Sequence, residues 1–155
     1  MHITIKKAGL DDAKAIAELH KKVVSEVNSK YYPVEAIEEW IKDISEKNVR
    51  YQLQNSDWIV ADANDKLVGF GQYSVADGEI YQINVSPDFL NQNIGKELYN
   101  YMENDFMSRG IKRISLNSTL NAVGFYQKLK FKKVGETYIG PIRMVKMEKL
   151  LRDSQ

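Results

Sequence analysis

The chain has 155 residues, 43% of them hydrophobic, which is enough for one domain with a proper core and leaves little room for a second. Its 22 basic and 21 acidic side chains give a formal charge of +1 and are scattered without a strong basic block, so neither nucleic acid nor an anionic membrane is expected as the main partner. The absence of cysteine excludes disulfides, thiolate metal sites and a cysteine nucleophile, and with only His2 and His20 as histidines no metal site is expected.

From His2 to Lys7 the sequence HITIKK alternates weakly and stops before Gly9, which suits a first strand. Leu10-Asp11-Asp12 then reads as an acidic helix entrance. Ile16, Leu19, His20, Val23, Val24 and Val27 form an apolar stripe that predicts a helix from about Asp11 to Val27. His20 lies on or beside that stripe and is read as a packed or half-exposed residue without chemistry. Ser29 to Pro33 is a break, and Val34, Ile37, Trp40, Ile41 and Ile44 make a second helical stripe behind a proline well suited to a first turn. From Asp57 to Val75 the period changes to two, with Asn64-Asp65 as the turn of an antiparallel hairpin. Gly69 and Gly71 in the second arm are costly for a strand and imply close packing or a bulge. Asp77-Gly78 is another turn, and Glu79 to Val85 returns as the next strand.

Ser86-Pro87-Asp88 ends that strand, since proline cannot donate to a sheet ladder. Asn91, Gln92, Asn93 and Gly95 supply a loop of small or amide residues, and Ile94, Leu98, Tyr101, Met102 and Phe106 follow at helical spacing. A strand feeding a helix in this way leaves backbone N–H groups unpaired at the positive end of a helix dipole, an anion site most naturally for phosphate. The plainer reading is an ordinary connection. The stretch VSPDFLNQNIGK, Val85 to Lys96, resembles the acyl-coenzyme A signature of the GNAT N-acetyltransferase superfamily, usually V-x-P-x-Y-R-G-x-G-I-G-K. Val85, Pro87, Asp88, Ile94, Gly95 and Lys96 match. Leu90 stands where the family prefers Arg or Gln, and Asn91 and Asn93 stand where glycines are common. Asparagine is the best non-glycine residue at positive φ, so Asn93 can keep the loop geometry. Leu90 cannot supply an arginine's charge, so the phosphates depend on the backbone amides of Asn91, Gln92, Asn93, Ile94 and Gly95, helped by Lys96.

Arg109-Gly110 closes the helix with a glycine suited to a C-terminal cap, and IKRISLN from Ile111 reads as a strand. NAVGFYQKLKF, Asn121 to Phe131, resembles a second GNAT segment, N-A-x-x-F-Y-E-K-L-G-F, with Lys130 in place of the helix-ending glycine. A left-handed lysine costs roughly 1–2 kcal/mol, so either that strain or a differently shaped helix end is expected. Val134, Tyr138, Ile142, Met144, Val145 and Met147 complete two final strands separated by Gly140-Pro141. The order strand, two helices, three strands, helix, strand, helix, two strands describes an α/β (α+β) single domain over residues 1–150 with a central mixed, mostly antiparallel sheet flanked by helices, and a frayed tail over 151–155. The resemblance covers essentially the whole chain. It implies a sheet splayed between the strands Glu79 to Val85 and Ile111 to Asn117.

The resemblance further implies acetyl-CoA as cosubstrate, with its pantetheine arm paired to freed backbone groups of Ile83 and Val85 and held by Asn121. An acceptor amine has an ordinary pKa near ~10.4, so a carboxylate must help remove its proton. Glu79 is the candidate, at a position where several family members carry their base; the plainer reading is a solvated turn glutamate. The N–H at or near Val85 is the candidate oxyanion donor. Tyr126 matches the family's usual general acid, and a phenol near ~10 can protonate a thiolate near ~8.5. Tyr31 and Tyr32 with Trp40 flank the acceptor side by resemblance, and Tyr73, Tyr81 and Gln82 are further candidates there. Without cysteine, transfer is expected directly in a ternary complex. The acceptor, a small-molecule or peptide amine, is not readable. Two other readings stay open: a non-catalytic acyl-CoA-binding or sensing domain, and a coenzyme-free interaction module, a homodimer through the final strand near Met144. No G-x-S-x-G elbow and no G-x-x-x-x-G-K-[ST] loop is present, which disfavours a hydrolase or a nucleotide kinase. No apolar run is long enough for a signal peptide or membrane span, so the cytoplasm is the expected compartment.

Overall fold

Alternating apolar and polar residues become strands β1 (Ile3–Lys7), β2 (Asp57–Ala63), β3 (Lys66–Ser74), β4 (Glu79–Val85), β5 (Arg113–Thr119), β6 (Lys132–Ile139) and β7 (Ile142–Leu150), joined in one sheet in the order β1-β2-β3-β4-β5-β7-β6. The computed structural model describes residues 2–90 and 92–152. Its helices are α1 (Ala13–Glu26), α2 (Val34–Lys42), α3 (Glu46–Leu53), α4 (Ile94–Ser108) and α5 (Val123–Lys128). All strand pairs are antiparallel except β4 and β5, which are parallel and are connected through α4, since a parallel pair needs a crossover. β4 and β5 pair only at Glu79↔Ser115 and Ile80↔Leu116 and then part, which is the expected splay.

Where the sequence predicts two helices after the first strand, there are three. The chain breaks after α2 and restarts at Ser45, whose Oγ accepts from the Asn48 N–H (3.1 Å), while Asn48 Nδ2 donates to the Asp43 carbonyl (2.8 Å). α3 buries only Val49, so its apolar periodicity is too weak to mark it.

The two faces of the sheet carry different layers. Ile59, Val68, Ile80, Ile114, Leu116 and Met147 pack beneath α4, and α1, α2 and α3 cover the other face over Trp58, Val60 and Phe70. Both uses expected for the strand glycines are present: the register with β2 shifts beside Gly69, where Ala61 pairs with Gly69 and Asp62 with Leu67, and close packing holds too, since a Cβ at Gly71 would stand 2.2 Å from Met102 Cε and one at Gly69 would stand 3.2 Å from Leu98 Cδ1. Asn64 and Asp65 both take positive φ, 52° and 63°, as a tight two-residue hairpin turn requires. Gly110 and Lys130 end α4 and α5 in the same way. Lys130 has φ 77°, with Phe131 N–H donating to the Tyr126 carbonyl (3.1 Å) and its own N–H to that of Gln127 (3.0 Å), so lysine bears the left-handed strain. Among the described residues, no helix is long and apolar enough to cross a membrane.

Candidate active site

The splay leaves one edge of β4 unpaired. Ser86 N–H donates to the Val68 carbonyl (2.8 Å) on the β3 side, and strand alternation then turns the backbone groups of Ile83 and Val85 toward the gap. Past Val85 the chain makes a tight turn over Pro87–Phe89, with Ser86 Oγ accepting from Asp88 N–H (3.3 Å). Lys22 of α1 holds Asp88 from outside (2.6 Å). Asn93 then enters α4 with φ 60° and ψ 18°, the left-handed conformation expected of it. The first intrahelical bond runs from Glu97 N–H to the Asn93 carbonyl (3.0 Å), so the N–H groups of Ile94, Gly95 and Lys96 have no partner within the helix. They point where an anion is best received.

The residues expected to hold the coenzyme divide accordingly. The Ile94 side chain is core, 1% exposed, and only its backbone is available. Gly95 fits between β4 and α5, since a Cβ there would stand 3.1 Å from Phe125 Cε1. Gln92 and Asn93 on the loop and Lys96 in the first turn of α4 are exposed and outside the cleft wall, and Asn91 lies outside the described residues.

The gap opens into a cleft of about 590 Å³ that passes through the sheet, from Gly95, Phe125 and Tyr126 at one end to Trp40, Asn48 and Gln52 at the other. Tyr126 lines it and is 5% exposed, packed edge-on against Phe125 and Phe131 at 5.1 and 5.6 Å. Burial pushes its phenol above the ordinary range, so it stays protonated, and its hydroxyl has no hydrogen-bond partner among the described residues. Asn121 also lines the cleft, and its Oδ1 accepts from Asn28 Nδ2 (2.8 Å), which leaves the Asn121 amide nitrogen to donate.

The far end is an aromatic chamber. His20 sits edge-on to Trp40 and Phe70 at 6.3 and 5.7 Å, and Trp58 stacks on Phe70 at 5.9 Å. Burial lowers the His20 pKa to about 4, so it is neutral at physiological pH. Sequence reading named Trp40, Tyr81 and Gln82 for this side and His20 as a packed residue, but missed Trp58, Gln72 and Asn84, because only strand pairing reveals that their alternate faces meet.

Several tyrosines move from their expected places. Tyr73 is not on the acceptor side: alternation from Gly71 turns it under α4, where it is 1% exposed, lies edge-on to Phe106 at 5.5 Å and donates to Asp105 Oδ2 (2.7 Å). Tyr32 is a brace rather than an open contact, its hydroxyl donating to the Arg143 carbonyl (2.6 Å) and accepting from Leu120 N–H (3.0 Å). Tyr31 is exposed and outside the cleft wall. Tyr81 does line the cleft, because the register slips by one residue between Gln82 and Ile80 and leaves it as the extra residue. Glu79 lies below the cleft wall, where β4 and β5 are still paired. Partial burial raises its carboxyl pKa, the Asp77 charge adds to this, and Lys146 opposes it.

Comparison with known proteins agrees with this architecture. The family model of the acetyltransferase (GNAT) domain matches residues 28–151. The uncharacterized N-acetyltransferase ycf52 of Pyropia yezoensis is 32% identical over 102 residues, 61% of this chain and 58% of that protein's length. A structure described as a GCN5-related N-acetyltransferase, aminotransferase class-II, from Rhodopseudomonas palustris superposes with a TM-score of 0.91 at 18% identity over 97% of both chains. The PaiA N-acetyltransferase of Thermoplasma acidophilum, solved in complex with coenzyme A, gives 0.82 at 24% identity over 97% of this chain and 100% of its own. YncA of Salmonella typhimurium, solved with acetyl-CoA, gives 0.74 at 13% identity over 100% and 97%.

Proposed function

The chain belongs to the GNAT acetyltransferase family, and on that footing we propose that it transfers an acetyl group from acetyl-CoA to a primary amine by direct attack in a ternary complex. The observation that carries this reading is the cleft through the parted sheet, with amides that lack a partner within α4 at one end and an aromatic chamber at the other. Bound there, acetyl-CoA supplies a thioester carbon within reach of an amine arriving from the chamber. That coenzyme or its acetyl form accompanies two of the similar folds supports the choice of cosubstrate.

The chain's own groups fit this ligand. The N–H groups of Ile94, Gly95 and Lys96, without a partner within α4, and the left-handed turn at Asn93 suit a pyrophosphate without an arginine, which Leu90 does not provide. Ile83 and Val85 offer peptide groups to a pantetheine arm as a neighbouring strand would, and Asn121 Nδ2 is free to hold one of its amides. An N–H from this edge, at or near Val85, stabilises the charge that develops on the carbonyl oxygen.

As the C–N bond forms and the C–S bond breaks, one proton leaves the nitrogen and one is needed at sulfur. Glu79 takes the first through intervening water, its raised pKa making it a better base than an ordinary glutamate. Tyr126 gives the second from a hydroxyl that burial keeps protonated.

Isothermal titration with acetyl-CoA, desulfo-coenzyme A and ATP tests the reading first. Saturable binding of both coenzymes but not ATP, followed by thiol release with an amine, is the expected result. No binding at millimolar coenzyme overturns it in favour of an interaction module.

A further inference from the structure

In the chamber, the polar side chains of β3 and β4 stand in single file. Asn84 Nδ2 donates to Gln82 Oε1 (2.8 Å), Gln82 Nε2 to Gln72 Oε1 (2.8 Å), and Gln72 Nε2 to Ser56 Oγ (3.0 Å). Ser56 Oγ also accepts from Trp58 Nε1 (2.9 Å) and donates its own proton to the Gln52 carbonyl (2.9 Å). An amide has donors on one side and an acceptor on the other. The commitment of Ser56 to Gln52 therefore fixes the sense of every amide in the file, nitrogen toward Ser56 and oxygen toward the next donor. The file ends at Asn84 Oδ1, an acceptor with no partner among the described residues, on the part of β4 beyond Ile80 that has separated from β5.

The charge around it points the same way. Among the described residues that line the cleft there is no lysine or arginine, and the one carboxylate is Asp43 at the mouth. His20 carries no charge at neutral pH. Trp40 and Trp58 offer ring surface to an alkyl chain or an ammonium group. An acceptor with a carboxylate or phosphate would bring an anion to a wall with no cation to meet it, losing hydration without compensation.

We infer that the acceptor is an aliphatic primary amine bearing no carboxylate or phosphate, its nitrogen received in the throat by Asn84 Oδ1. The inference rests on the acetyl-transfer reading above. An amine keeps at least two N–H groups in either protonation state, so Asn84 can hold it before and after it loses its proton, with the lone pair left free for the acetyl carbon. Gln82, Gln72 and Ser56 act as positioning residues behind it.

The test uses n-pentylamine, 1,5-diaminopentane and 5-aminopentanoate, which share a chain and end in a neutral, a cationic and an anionic group. In thiol release with acetyl-CoA, kcat/KM for the first two is expected to exceed that for the third by about tenfold or more. Ser56→Ala lies away from the reacting atoms and frees the amide file; it is expected to raise KM for pentylamine about threefold with kcat and acetyl-CoA Kd unchanged. Asn84→Leu is expected to raise that KM about tenfold. Equal kcat/KM for 5-aminopentanoate, or an unchanged KM in both variants, overturns the inference. Calorimetric binding of the three amines to protein saturated with coenzyme A separates the two readings. The same preference without thiol release would defeat the transfer reading alone, and turnover or binding without preference would defeat the acceptor inference alone.

Discussion

At the α4 end the cleft presents backbone groups of Ile83, Val85 and Gly95 beside the side chains of Asn121, Phe125 and Tyr126; at the chamber end it is made of side chains drawn from α1, α2, α3, β2, β3 and β4. On the proposed reading, backbone groups meet what every coenzyme A molecule shares, its phosphates and amides, and such groups tolerate changes of side chain so long as φ and ψ survive. Asn93 in place of glycine is such a change. The chamber recognises through side-chain identity, so a single substitution there alters which molecule fits.

The largest effect is expected between the two ends. Tyr126→Phe keeps the ring in its packing and removes only the proton donor, so kcat should fall about 10²-fold or more, the usual weight of general acid catalysis, with acetyl-CoA Kd unchanged. Unchanged turnover across pH would remove Tyr126 from proton transfer.

A chamber residue gives the next. His20 is held neutral by burial, with a pKa of about 4 against about 6.5 in the unfolded chain. Below the unfolded value the unfolded state binds the extra proton, so stability is fully present above about pH 6.5 and falls as pH drops toward 4. The loss reaches up to about 3 kcal/mol. Urea midpoints measured across that window should decline on acidification, and His20→Leu should flatten the slope whatever it does to absolute stability.

Smaller again is the backbone effect at the coenzyme end. Asn93→Val forces a β-branched residue into the left-handed region at roughly 1–2 kcal/mol, so coenzyme Kd should rise about 5- to 30-fold, while Asn93→Gly stays within about twofold. Equal effects would mean that the amide side chain, not the conformation, matters there. The smallest touches neither end: Lys130→Gly relieves the left-handed cap of α5 and should raise stability by about 0.5–1 kcal/mol, read as an upward shift in the urea midpoint with turnover unchanged.

The same contrast explains what could be read from the chain alone. The strands, their turns, the αL positions at Asn93 and Lys130 and the splay are local or follow from two short signatures, and they were legible. α3 escaped because Val49 is its one buried residue. Tyr73 and Tyr81 have similar sequence surroundings, yet alternation from Gly71 sends one under α4 and a register slip turns the other into the cleft. Tyr32 looked open and is closed by Arg143 and Leu120, partners more than eighty positions away. The amide file joins residues 52 to 84 through strand pairing, and no periodicity announces it.

The joint between β4 and β5 also governs how the molecule deforms. Two residue pairs fasten the leaf β1–β4 to the leaf β5–β7, so the sheet is a split plank whose crack stops at Ile80. At that joint Ser115 N–H also donates to the Gly78 carbonyl (2.9 Å), and Ile59, Val68 and Ile80 share one core with Ile114, Leu116 and Met147. A ligand laid along Ile83 and Val85, as proposed for the pantetheine arm, would close the crack with hydrogen bonds and make seven strands behave as one beam. On the acetyl-transfer reading, the protein is expected to be stiffest when loaded and most compliant when empty, and deuterium uptake at the Ile83 and Val85 amides is expected to slow on coenzyme binding.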